Sequence, residues 1–113
     1  MQSYISLFLS LIFLIMPAHA FDLSQKLVEC QTHFKANRLT TGKGGTALAC
    51  YEAVLKKDPT NSEAWLGLEK IKARYQSWMN RANRRGQQSK VQAYQRRIGL
   101  VDDLKTRLQA SIP

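Results

Sequence analysis

Apolar residues recur three and four positions apart along most of this chain. Between Phe21 and Arg38 they fall at Leu23, Leu27, Cys30 and Phe34, which is one face of a helix. The stretch "NRLTTGKGG" interrupts the pattern at 37–45. It resumes from Gly45 with Ala47, Tyr51, Val54 and Leu55, until Asp58-Pro59 ends it, because proline has no N–H for a helix interior. "TNSE" at 60–63 then reads as a capping box, Thr60 accepting from the Glu63 N–H while the Glu63 side chain reaches back. The helix it opens keeps the spacing through Trp65, Leu68, Ile71, Tyr75, Trp78, Met79 and Ala82 to Gly86. At about 1.5 Å per residue it runs on the order of 35 Å. A last helix carries Val91, Tyr94, Ile98, Val101, Leu104 and Leu108 on one stripe, and no stretch alternates with period two. The pattern predicts an all-α fold of four helices in two antiparallel hairpins.

The apolar run before Phe21 has a different character. "YISLFLSLIFLIMPAHA" ends in Ala18-His19-Ala20, a small-x-small cleavage site, so residues 1–20 read as a signal peptide and 21–113 as one helical-hairpin domain. The run from Ile5 to Met16 is shorter than the roughly 20 apolar residues a bilayer span needs. No cysteine follows the cleavage site to carry a lipid, so the expectation is a periplasmic or secreted protein with no transmembrane segment after cleavage. All 17 Lys and Arg and all 8 Asp and Glu lie beyond the leader, giving a net charge of +9. That balance favours anionic partners without choosing among them.

Cys30 and Cys50 lie about equally far from the turn near Thr40, where the two helices of the first hairpin would face each other. In an exported chain they read first as a disulfide. It closes a twenty-residue interval and contributes roughly 3 kcal/mol in the chain-entropy picture. The alternatives are a redox pair, which lacks the Cys-x-x-Cys spacing, and a metal site on Cys30, His33 and Cys50, which lacks a further histidine. No metal or cofactor is expected.

The glycine run Gly42-Lys43-Gly44-Gly45-Thr46 invites comparison with a phosphate-binding loop. Such a loop needs a glycine six residues before the Lys, Ser or Thr directly after it, and a strand leading in. Here Asn37 and Gly44 occupy those two positions and a helix precedes, so the cluster reads as a helix-helix corner in which glycine takes the left-handed backbone at a helix C-terminus.

The flanking residues carry a family pattern. Ala47, Tyr51 four later and Pro59 eight after that match A-x3-F…P, Gly42 sits five before the small residue, and Trp65-x-x-Leu68 matches the start of a next unit. Trp65 also lies 34 residues after Gln31. On these residues the chain resembles a tetratricopeptide repeat protein from about Val28 to Leu104. Gly42 to Gly86, Ala47 to Val91 and Val54 to Ile98 are each 44 apart, so about ten residues have been added to the third helix. The resemblance implies a protein-binding scaffold in which the first helix of each hairpin lines a groove. Lys70 and Arg74 would then fall on that lining, where some members grip a peptide's terminal carboxylate. Two hairpins fall short of the three or more repeats that usually stabilise such arrays, so a disulfide or self-association through the long second hairpin is expected to compensate.

Between Lys70 and Arg97 there are nine basic residues and no acidic one. Lys70, Arg74, Arg81 and Arg84 fall at i, i+4, i+11 and i+14, a stripe nearly opposite the Trp65-Leu68-Tyr75-Trp78 face. A solvated outer face is the plain reading. Against it, like charges four apart destabilise a helix by a few tenths of a kcal/mol, with no Glu in the segment to relieve them. Tyr75, Trp78 and Tyr94 sit on apolar faces and read as core rather than as stacking platforms for bases. Asp102 and Asp103 diverge on a helix, and no nucleophile-base pair accompanies His33, so no enzyme is predicted. The expectation is a non-enzymatic binding or adaptor protein whose Lys70, Arg74, Arg81 and Arg84 contact an acidic protein surface or peptide. The alternative is direct binding of an anionic polymer, a lipid A-type ligand or nucleic acid.

Overall fold

The computed structural model describes residues 22–113, so the predicted leader lies outside the described residues. Four helices follow one another: α1 Leu23–Lys35, α2 Ala47–Lys57, α3 Ser62–Arg84 and α4 Gln88–Ala110. No strand occurs among the described residues, and the fold is all-α.

Each boundary has a local cause. Asp22 starts α1, its carboxylate accepting from the Gln25 N–H at 3.3 Å. The helix stops at Asn37, whose φ of 60° is left-handed, while Asn37 N–H and Arg38 N–H return to the Phe34 and His33 carbonyls. This is a Schellman cap with asparagine in the position where glycine is commonest. The glycine cluster is therefore not the helix stop that the sequence suggests. It shapes the return loop instead, where Gly42, Gly44 and Gly45 all have positive φ. Gly45 also lies against the His33 imidazole, where an added Cβ would sit 3.2 Å from the ring. Leu39, 1% exposed, anchors that loop in the core, and the Ala47 and Leu48 N–H groups bond back to the Arg38 and Leu39 carbonyls. Thr46 caps α2 through Ala49 N–H.

The α3 cap is Asn61, not Thr60. Asn61 N–H bonds the Asp58 carbonyl, closing a turn that places Pro59 and Thr60 at its two central positions. Asn61 is then the last extended residue, and its Oδ1 accepts from Ala64 N–H at 2.9 Å. Glu63 stays in the first turn, favourable to the helix dipole. At the far end Gly86 N–H and Gln87 N–H bond the Asn83 and Ala82 carbonyls, a second Schellman cap, and the chain reverses directly into α4.

The two hairpins differ in length, and that decides where the core lies. α1 and α2 have 13 and 11 residues, whereas α3 and α4 have 23 each. α2 packs on both α3 and α4, while α1 reaches α3. The fully buried side chains include Cys30, Leu39, Val54, Leu55, Leu68, Ile71, Tyr75 and Val101. On α4 burial is confined to Val101, Leu104 and Leu108, in its second half. Among the described residues no third element lies over the long hairpin beyond Tyr75, and Trp78, Tyr94 and Ile98 are only partly buried. Lys72–Asp102 at 2.8 Å and Lys105–Glu69 clip α3 to α4 in the covered half.

Cys30 and Cys50 are bonded, with Cα atoms 5.2 Å apart across the α1–α2 interface and both residues buried. The bond crosses between the two short helices, as the placement of Cys30 and Cys50 about the first turn predicts. It also consumes both thiols, leaving Cys30 and Cys50 no thiolate for a metal while it is intact. Replacing both cysteines by alanine should cost about 3 kcal/mol, on the order of 15 °C in Tm by thermal circular dichroism. Reductant should give a similar loss in the parent protein and none in the double variant.

Candidate functional site

The four stripe residues do not share one surface. Lys70 and Arg74 line a cleft of about 240 Å³ between α1 and α3, together with Gln31, Phe34, Lys35, Tyr51, Glu63, Leu66 and Gly67. Arg74 does not project outward. Its Nη1 donates to the Phe34 carbonyl at 3.0 Å and to Asn37 Oδ1 at 2.9 Å, and its Cζ lies 3.9 Å from the Phe34 ring centroid. The cause is the end of α1, where the Phe34 carbonyl, already accepting from Asn37 N–H, has a second lone pair free and the negative end of the helix dipole attracts a cation. Arg74 is thus a positioned charge in the cleft wall. Lys70 and Lys35 are exposed and carry no hydrogen bond or ion pair among the described residues.

The cleft also rests on a close approach. The Tyr51 ring lies so near Gly67 that any Cβ there would overlap it. Tyr51 is 6% exposed, and burial raises its phenol above the ordinary tyrosine value, with the nearby Glu63 charge adding to the effect. Leu66, by contrast, is 53% exposed beside it. Apolar and cationic groups therefore meet in one concavity.

Arg81 belongs to a different place, the free end of the α3–α4 hairpin. There it lines a concavity of about 280 Å³ with Trp78, Ala82, Arg85, Gln87, Lys90 and Tyr94. Arg84 is exposed and lines neither recess. The aromatic floor is continuous with the core. Trp78 meets Tyr75 edge-on at 5.6 Å between centroids, and Tyr94 lies 5.8 Å from Trp78 and 6.1 Å from Tyr75. Tyr75 is itself fixed by a 2.6 Å hydrogen bond between its hydroxyl and Thr40 Oγ1. The three rings pack on one another as the apolar pattern predicts, and only Tyr75 is fully covered.

Charge pairing changes along this hairpin. In the covered half Lys72 pairs with Asp102, which holds its ammonium above the ordinary lysine value, and Lys105 pairs with Glu69. Towards the free end Arg81, Arg84, Arg85, Lys90 and Arg96 have no ion pair among the described residues, and Arg97 has only the Tyr75 ring, 6.0 Å away. The sequence reading missed Lys35, Arg85 and Lys90 as lining residues. The absence of any carboxylate between Lys70 and Arg97 was the available signal for the last two.

His33 is a fixed part of the corner. Its Nδ1 accepts from Arg38 Nε and Nη2 at 3.2 and 3.1 Å, so the ring proton sits on Nε2, which faces Glu29 at 3.8 Å. The glycine loop borders a recess of about 160 Å³ with Glu29 and His33 in its wall, between two helices as the sequence predicts. Comparison with family models, curated proteins and solved structures finds no match to this chain.

Gly67→Ala should lower stability by about 1–2 kcal/mol in urea unfolding, since displacing the Tyr51 ring outweighs the better helix propensity of alanine. Gly99→Ala, where nothing lies within 4 Å, should instead gain about 0.5–1 kcal/mol. Alkaline pH supplies a second check. Tyr51 and Lys72 both hold their protons more tightly folded than unfolded. Stability they support is present below about pH 10 and is lost as pH rises through their raised folded values. The urea midpoint should fall above about pH 10, and Tyr51→Phe should flatten part of that fall.

Proposed function

We propose that this chain is an exported, non-enzymatic adaptor that holds an acidic segment of a partner protein in the α1–α3 cleft, on a degenerate two-hairpin scaffold of tetratricopeptide type. The observation that carries the reading is the cleft itself: exposed, unpaired Lys35 and Lys70 beside Phe34, Tyr51 and Leu66, with Arg74 fixed in the wall. An extended acidic peptide has the matching chemistry. Its carboxylates meet cations that have no partner among the described residues, and its apolar side chains meet Leu66 and the half-buried Phe34 ring. Pre-set Arg74 lowers the ordering cost of binding, because its rotamer is already chosen. Both cleft-forming helices are the first of their hairpins, which supports the tetratricopeptide reading. Export with cleavage after Ala20 into an oxidising compartment is supported by the Cys30–Cys50 bond. The non-enzymatic reading is supported by His33, whose ring is held on both sides by Arg38 and Glu29.

A photo-crosslinking residue at position 66, used in intact cells, should capture one protein, joined through an acidic segment. Lys35→Gln with Lys70→Gln should weaken that complex by about tenfold per charge removed, since hydrogen bonds to charged groups contribute about 1.5–3 kcal/mol. Capture of nothing from the cleft, or an undiminished complex with the double variant, would defeat the proposal.

A further inference from the structure

The free end of the long hairpin carries a second surface, separate from the cleft and independent of the reading given to it. We propose that this end docks on an anionic membrane surface, with Arg81, Arg85 and Lys90 holding lipid phosphates while Trp78 and Tyr94 enter the headgroup layer.

Three observations lead there. The first is electrostatic. Arg81, Arg84, Arg85, Lys90 and Arg96 cluster where the hairpin closes, none has an ion pair among the described residues, and no carboxylate occurs from Lys70 to Arg97. The C-terminal end of the α3 dipole offsets part of the mutual repulsion within this group, and an external polyanion would relieve the rest. The second is shape. Arg81 in the last turn of α3 and Arg85 at its C-cap, with Lys90 from α4, rim a single concavity of about 280 Å³. Two guanidinium forks and an ammonium around one recess suit phosphate oxygens. The third is the aromatic floor. Half-buried Trp78 and Tyr94 combine an apolar body with a polar tip, the residues that favour the membrane-water interface, and long basic side chains beside them can keep their charges at headgroup level.

Other occupants fit less well. A second copy of this chain meeting the same surface would bring two sets of unpaired cations together. Single-stranded nucleic acid needs ring faces free for stacking, yet Trp78, Tyr94 and Tyr75 pack against one another at 5.6–6.1 Å. A planar surface needs only an end to touch, and this end stands clear. Along α3, Arg81 lies eleven residues past Lys70 and seven past Arg74, on the order of 16 and 10 Å at 1.5 Å per residue. Both exceed the screening length of about 8 Å at physiological salt, so cleft and tip act as electrically separate sites.

The test uses the chain from Phe21 to Pro113 carrying Trp65→Phe, which leaves Trp78 as the sole tryptophan. The probes are vesicles of phosphatidylcholine alone, vesicles mixed with phosphatidylglycerol, a single-stranded oligonucleotide and polyglutamate. Expected are co-sedimentation with the phosphatidylglycerol vesicles only, a blue shift of Trp78 emission on binding, and release by salt. Arg81→Gln/Arg85→Gln/Lys90→Gln replaces three exposed, unpaired side chains, so the fold is retained. It should lower vesicle partitioning about a hundredfold. Lys35→Gln/Lys70→Gln, which disables the cleft, should leave it unchanged. Equal sedimentation with both vesicle types, full binding by the triple variant, or an unshifted Trp78 would overturn the proposal. So would tighter binding to the oligonucleotide than to the vesicles, or polyglutamate binding that is lost in the triple variant and kept in Lys35→Gln/Lys70→Gln.

Discussion

Two helices alone cannot hide their own apolar faces, and this domain is organised by where a third layer exists. The short α1–α2 hairpin covers only the first half of α3 and the second half of α4. Inside that footprint burial is nearly complete, opposite charges pair across α3 and α4, and a disulfide holds the covering hairpin closed. Outside it the same apolar stripe continues without cover. There Trp78 and Tyr94, rings with polar edges that tolerate contact with water, stand among Met79, Val91 and Ile98. Tyr75 stands at the border, bonded through its hydroxyl to Thr40 of the covering loop and through its ring to Trp78 and Tyr94 beyond.

Much of this was legible in the residues. The three-four spacing gives the four helices, and the symmetric placement of Cys30 and Cys50 about the first turn gives the disulfide. The errors have a common physical source: several residues could do the same local job. Asn37 and Gly42 can both take left-handed backbone, and the chain stops at the earlier one because the carbonyls of His33 and Phe34 are already within reach. Thr60 and Asn61 are both good caps, and the Asp58–Asn61 turn assigns the role to the second.

The binding stripe was legible as charge but not as geometry. Helical angle alone puts Lys70, Arg74, Arg81 and Arg84 in one line, yet Arg74 bends to the end of α1, 37 to 40 residues away in sequence. No local pattern encodes that partner, because it depends on the Phe34 carbonyl and the Asn37 side chain presented by a helix stop elsewhere. Lys70 and Arg81 then part company according to cover, one beside the short hairpin and one beyond it. The separation divides one basic segment into a mixed apolar cleft and an unneutralised tip.

The uncovered half of α3 and α4 has a further consequence for how this architecture can vary. Since, among the described residues, nothing packs over that stretch except its own partner helix, matched insertions or deletions in both arms meet no steric veto from the base. Steps of about seven or eleven residues keep the helical phase nearly unchanged, so the apolar seam would stay in register. The reach of the arm is thereby decoupled from the integrity of the hub, and distance becomes a quantity that descendants of this design can adjust without rebuilding the core.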